Sequence, residues 1–302
     1  MNADYYRKET KDLIVSGATL SNIAGYPSSP INAGSITNRG FEFELGWQDN
    51  IGDFSYGVRA NLTTLKNKVT KVYDTVDAIN GSAIISDTKI CVLTKFEKDQ
   101  PAWYFYGLKY EGVNRENGEP IYWDKNGDGM IGDEDRTYIG KGIPDITYGI
   151  TVNAAWKGVD LMVFGSGVSG VDIYNMYDTT FQYANNRLTY FTSDRWTPEN
   201  TNGSMPKANI NHTNFLYSSA SVFSGAYFKI KQIQLGYTLP QALLNKISFQ
   251  KARLYCSLEN FFTFSDYIGF DPEVTGAGNA MGVDFGMYPS SKKVVFGLNI
   301  TF

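Results

Sequence analysis

The feature that most constrains this chain is a two-residue alternation of apolar and polar side chains that returns along most of its length. Phe41, Phe43, Leu45 and Trp47 alternate with Glu42, Glu44 and Gly46. After the turn-forming run Asp49 to Asp53 the phase restarts, with Phe54, Tyr56, Val58, Ala60 and Leu62 set against Ser55, Gly57, Arg59 and Asn61. Successive strand residues point to opposite faces, so both runs describe a sheet with one apolar and one polar face, and together they read as a hairpin. Tyr148, Ile150, Val152, Ala154 and Trp156, a tight Lys157-Gly158 turn and the apolar run Val159 to Val163 read as a second hairpin. Phe228, Ile230, Ile233 and Leu235 lead to Pro240; Ala252, Leu254, Cys256 and Leu258 follow; Val294, Phe296, Leu298, Ile300 and Phe302 end the chain. With Tyr5 to Ile14, Trp103 to Val113 and Glu119 to Trp123 this gives about ten strands, several longer than the ~5–6 residues usual in soluble sheets.

Composition removes most other classes. With 21 Tyr, 19 Phe and a formal charge of only −4, the chain is not disordered, and its scattered Lys and Arg leave no footprint for nucleic acid. Two Cys in 302 residues cannot staple the fold, and Cys91 and Cys256 read as unpaired thiols. There is no apolar run long enough for a membrane helix and no apolar segment of the export type near Met1.

The connections are of two kinds. Short turns (Asp49 to Asp53, Arg115 to Gly118, Lys157-Gly158) alternate with polar segments at about 66–102, 124–146, 169–226 and 265–291. Compact soluble domains rarely carry several such long connections, whereas membrane barrels combine short turns at one end with long loops at the other. The alternation then acquires a meaning: one face meets lipid, the other a polar lumen, and Trp47, Trp103, Trp156 and Tyr237 are expected in the interfacial girdles. A soluble β-sandwich also alternates and is the competing reading. A terminal alternating strand ending in Phe302 points toward the outer-membrane class.

An ordered set of short motifs adds a resemblance. Asn38-Arg39-Gly40-Phe41-Glu42 opens one strand and Asn67-Lys68-Val69 closes the next; Asp124 to Ile131 is followed by Asp135-Arg136, Ile139-Gly140, Pro144 and Tyr148-Gly149. Tyr227 to Ile230 leads to Leu235-Gly236-Tyr237-Thr238-Leu239-Pro240, and Asn260-Phe261-Phe262-Thr263, Gly269-Phe270-Asp271-Pro272-Glu273 and Tyr288-Pro289 precede the last strand. In this order the motifs resemble the SusC/RagA type of TonB-dependent outer-membrane transporter. The resemblance implies an all-β fold, an antiparallel transmembrane β-barrel segment supplying about ten strands of a barrel of about 22. It implies that residues 1–302 are the C-terminal portion of a longer protein whose signal peptide, TonB box and plug lie elsewhere, with Met1 an internal or artificial start. An open sheet leaves unpaired edges that lipid cannot satisfy, so the remaining barrel strands are expected from outside this sequence. The implied setting is the outer membrane of a Gram-negative bacterium. The implied partners are a SusD-like surface lipoprotein, the TonB complex, outer-membrane lipid and an oligosaccharide or peptide substrate. No enzymatic activity is implied.

Two stretches are candidates for chemistry. Asp124, Asn126, Asp128, Gly129, Met130 and Asp135 fill positions 1, 3, 5, 6, 7 and 12 of a calcium loop, with Met130 contributing its carbonyl. A structural Ca2+ there is one expectation, and an ion-free turn of Asn-Gly and Asp-Gly pairs is the other. No organic cofactor is expected. In the loop 169–226, Tyr174, Tyr177, Tyr183 and Trp196 interleave with Asn and Asp; they either stack on substrate or pack the loop. Catalysis lacks material: His212 is the only His, and Glu42 with Glu44 reads as polar lumen wall rather than a glycosidase pair. The competing reading is a soluble calcium-stabilised β-sandwich, a carbohydrate-binding or adhesion module.

Overall fold

A computed structural model describes residues 1–15, 31–72, 77–86, 89–176, 189–209, 213–245, 249–274, 276 and 278–302. Among them the alternating runs join into one antiparallel sheet of nine strands. These are β1 (Asn2–Val15), β2 (Ile31–Ile51), β3 (Phe54–Thr64), β4 (Lys66–Val72), β5 (Ile146–Trp156), β6 (Val159–Ser169), β7 (Tyr227–Thr238), β8 (Lys251–Ser265) and β9 (Lys293–Thr301). The path runs β1-β2-β3-β5-β6-β7-β8-β9, with β4 also on β2. The long β2 pairs β3 through Glu42–Ile51 and β4 through Gly34–Arg39, so β3 and β4 continue one another across Leu65. At this crossing a Cβ on Gly40 would lie 1.8 Å from the Thr64 carbonyl oxygen, which admits only glycine.

The register aligns the alternation across the whole sheet. One row reads Ile51, Phe54, Trp156, Val159, Tyr237, Leu254 and Leu298 from strand to strand, and another reads Trp47, Val58, Val152, Val163, Ile233, Leu258 and Val294. The intervening row Gly46, Arg59, Thr151, Phe164, Gln232 and Glu259 belongs to the other face. A bulge around Lys231 in β7, opposed by Asn260 and Phe261 of β8, explains why the apolar phase of β7 moves from even numbers (Phe228, Ile230) to odd ones (Ile233, Leu235, Tyr237).

The two ends of the sheet differ. At one end the links are tight: Gly52 (φ 61°) turns β2 into β3, and Lys157 (φ 45°) with Gly158 (φ 88°) turns β5 into β6 by left-handed residues suited to two-residue hairpins. At the other end lies a layer of small sheets. Thr137–Gly140, Tyr104–Gly107, Thr94–Glu97 and Ala78–Asn80 form one, in that order; Val222–Ser224, Asp172–Asn175 and Val283–Asp284 form another. Cores join these pieces: Cys91, Leu93, Phe105, Tyr174, Met176, Tyr217 and Val283 are buried together, and Val69 and Val72 of β4 pack on Ile79 and Phe96.

Three expectations are corrected here. Trp103 to Val113 is not a wall strand: it splits into Tyr104–Gly107 and Tyr110–Val113, the latter paired with Pro120–Tyr122, and all lie in the outer layer. The Arg115 to Gly118 turn therefore belongs to that layer rather than to the tight end. Trp103 is not a girdle residue, because its left-handed backbone (φ 55°) turns the ring onto Phe96, 5.2 Å away in a buried core.

Candidate functional site: apolar wall, polar face and loop layer

The side chains that the register collects on one face are apolar and uncovered. Trp47 is 63% exposed, Phe296 79%, and Leu45, Trp156, Leu235, Leu254 and Leu298 are exposed as well. Soluble proteins rarely leave so large an apolar face bare, and such a face marks contact with a membrane or a partner. Aromatic residues gather toward both limits of this face. Phe54, Trp156 and Tyr237 lie at the tight end; Tyr148, Phe228 and Phe264 lie toward the loop layer, stacked with ring centroids 6.1 and 6.4 Å apart. Tyr148 and Trp156 lie eight residues apart on β5. That is about 27 Å along the strand, or about 20 Å along the normal at the usual tilt, near the ~25 Å apolar band of outer-membrane barrels. Trp156 and Tyr237 thus sit at the tight limit, where the sequence places them, whereas Trp47 lies in the row of Val58 and Val152, within the bare face.

The opposite face is hydrophilic. Gln232 donates to Ser257 (3.1 Å), and Arg253 pairs with Asp160 (Nε to Oδ1, 2.9 Å) across β7. Glu42 and Glu44 stand exposed in the same polar rows. Toward the loop layer this face carries a lysine latch. Lys229, 2% exposed, donates to both oxygens of Asp271 (2.9 and 3.0 Å) and to Glu273 (2.6 Å); Lys231, brought alongside by the bulge, also donates to Glu273. Asp271 in turn accepts the Ser290 and Glu273 N–H groups. Burial works to raise both carboxyl pKa values, but the lysine hydrogen bonds, with backbone N–H groups at Asp271, outweigh it and hold both below the ordinary carboxylate range. The latch ties the segment 269–273 to the polar face of β7. It was missed in the sequence, where Gly269-Phe270-Asp271-Pro272-Glu273 stands out only as a motif; the alternation of Lys229 and Lys231 beside a phase break was the available signal.

The residues singled out for substrate separate. Tyr174 is wholly buried, its ring 5.4 Å from Phe105, and burial pushes its hydroxyl pKa well up. It packs the loop layer and presents no surface to a ligand. Trp196 is half-buried, its indole N–H donating to the Arg115 carbonyl (3.0 Å) and its ring against Gly118. Tyr177 and Tyr183 lie outside the described residues.

In the Asp-rich loop, Asp124 accepts the N–H groups of Gly127 (2.6 Å) and Gly129 (2.8 Å), Asn126 that of Asp128, and Asp128 that of Met130. Asp135 reaches back to Gly132 (2.7 Å) and Lys125 (2.9 Å), and the Gly132 bond leads the contacts that keep its carboxyl below the usual range. Gly127 (φ 73°) and Gly129 (φ 80°) make the turn. The carboxylates are thus engaged by their own backbone. Among the described residues no three acidic, His or Cys side chains are gathered as a metal group. Cys91 and Cys256 form no disulfide; Cys91 is buried beside Arg136, whose guanidinium lies 3.1 Å from its sulfur.

A sheet apolar on its bare face, hydrophilic on the other, tight at one end and capped by loops at the other is the wall of a transmembrane β-barrel. The comparisons specify which. Residues 1–141 match the family model "TonB dependent receptor-like, beta-barrel". TonB-dependent receptor P3 of Formosa agariphila is 29% identical over 100% of this chain and 32% of its own length, and TonB-dependent receptor SusC of Bacteroides thetaiotaomicron is 26% identical over 99% and 30%. The solved RagAB peptide importer in its closed-closed state superposes with a TM-score of 0.80 at 25% identity, covering 99% of this chain and 33% of that one. Over residues 1–141 the chain is similar to the TonB-dependent receptor β-barrels, and over its length to receptors of the SusC/RagA type, a likeness that places its bare apolar wall in the outer membrane of a Gram-negative bacterium. The chain spans about a third of the length of these relatives. They are receptors and transporters by name, not enzymes.

Proposed function

We propose that the chain supplies wall, lumen lining and external loops to a TonB-dependent importer of oligosaccharides or peptides. The supporting observation is the division of one sheet into a bare apolar face and a polar face latched to a folded loop layer. Uptake energy comes from the TonB complex acting through parts of the protein outside this sequence, and a SusD-like surface lipoprotein closes the loop end. Trp196, partly open on its Arg115 anchor, is the substrate-stacking residue among the described ones; Tyr177 and Tyr183 join it on loop composition alone. Deleting the gene should abolish uptake of a labelled oligosaccharide or peptide pool, and dissipating the proton gradient in the wild type should do the same. Undiminished uptake of both pools would refute the reading.

Calcium at Asp124, Asn126, Asp128, Met130 and Asp135 is a second proposal, supported by spacing alone. Asp124 and Asp128 keep further lone pairs beside the N–H groups they accept, so the turn can persist with the ion bound. The full-length protein should melt lower in chelator than in calcium, and the double variant D124A/D128A should lose that difference; equal melts of the wild type would end the proposal.

A further inference from the structure

We propose that the outer face of β1, β2 and β4 binds a phosphate-bearing lipid of the outer leaflet, its head group on a row of cations and an acyl chain in the cleft below. The cross-strand register sets Arg7 beside Arg39 and Arg39 beside Lys66. All three are exposed, and among the described residues none has an ion-pair or hydrogen-bond partner on its side chain. Alternation places the row on the bare face: Tyr5 is two residues from Arg7 and pairs Phe41, which is two residues from Arg39. The opposite residues of β4, Val69 and Val72, are buried in the loop-layer core, which fixes Lys66 and Lys68 as outward. The cations therefore stand directly above the apolar band, on the loop side, where lipid head groups lie.

The geometry offers a site for both parts of such a lipid. Arg7, Arg39, Lys66 and Lys68 with Thr37 and Thr70 line a concavity of about 240 Å³. Lys68 is partly neutralised by Asp99 at 2.7 Å, and Glu9, two cross-strand pairs from Arg7, lies by Lys11, leaving Arg7, Arg39 and Lys66 as the unmatched charge. Arg39 and Lys66 also rim a mostly apolar cleft of about 640 Å³ that includes Tyr5, Phe41, Leu65, Ile143 and Ile146. The cleft arises where β4 departs from β3 and leaves the sheet open above Thr64 and Ile146. Asp145, a carboxylate at its edge, is paired to Lys141. Arginine forks match phosphate oxygens in pairs, and three like charges so close are stabilised by an anion between them.

The inference rests on the outer-membrane reading and is tested so that the two fail separately. The full-length protein, extracted in mild detergent, is titrated with diphosphoryl lipid A and with phosphatidylethanolamine by native mass spectrometry. The diphosphoryl lipid is expected to bind preferentially, and R7Q/R39Q/K66Q to weaken it by about five-fold per cation removed, roughly a hundred-fold in all, with phosphatidylethanolamine unchanged. The reverse-face variant Arg59→Gln should bind as wild type. Equal affinity of wild type and triple variant, with both chains folded and detergent-bound, overturns the site alone. A protein that does not partition into detergent overturns the membrane reading and the site with it.

Discussion

The wall and the loop layer are built from one chain by opposite means. In the wall, strands of up to 21 residues satisfy their backbones with one another and leave Leu45, Leu254 and Phe296 bare, because the surrounding solvent is lipid. In the loop layer, strands of two to four residues are too short to stand alone, and stability comes from burying Phe105, Leu93, Tyr174 and Met176 in a dry core. The same residue types therefore mean different things: an exposed Trp156 is in its proper solvent, and a buried Tyr174 is structural.

That difference can be broken from either side. The largest effect is expected from Phe105→Ala, which removes a fully buried ring and should destabilise the loop layer by about 3–5 kcal/mol. Limited proteolysis should then cut the loops at lower temperature, while the heat-modifiable mobility of the barrel stays unchanged. Val152→Arg, in the middle of the bare face, should cost about 2–4 kcal/mol and show the inverse pattern, with poor membrane assembly. Its neighbour Asn153→Arg, on the polar face, should assemble normally.

The latch joins the two regions and should respond next. Lys229→Met leaves Asp271 and Glu273 with fewer partners and should loosen the 269–273 segment by about 1–3 kcal/mol, read as faster backbone amide exchange there. Because both carboxyl pKa values are lowered in the fold, the latch contributes fully above the ordinary carboxylate range near pH 4 and is lost as pH falls through the lowered values. Exchange at 269–273 should rise on acidification below about pH 4 in the wild type and far less in the variant. The smallest effect on stability is expected from Trp196→Ala, which should weaken ligand binding while leaving assembly intact; wild-type affinity would make Trp196 a packing residue like Tyr174.

How much was legible follows the same division. Runs such as Phe41 to Trp47 and Tyr148 to Trp156 announce their strands, because a two-faced wall imposes a period of two over ten residues or more. Even the β7 bulge is visible as the change from Ile230 to Ile233. Four-residue strands such as Asp172–Asn175, buried on both sides, carry no period, so Tyr174 read as readily as ligand contact as core. Charges brought together by register were hidden for a different reason. Arg7, Arg39 and Lys66 are far apart in sequence, as are Lys229 and Asp271, and only pairing or loop return makes them neighbours.

The central claim is that one face of the sheet meets lipid. It is tested most directly by spin-labelling single cysteines at positions 147 to 154 of β5 in the full-length protein, with Cys91 and Cys256 replaced, reconstituted in bilayers. Oxygen accessibility should peak at 148, 150, 152 and 154, and that of a water-soluble nickel chelate at 147, 149, 151 and 153, following the apolar and polar rows. Two profiles in the same phase, or a nickel maximum at 150 and 152, would contradict it.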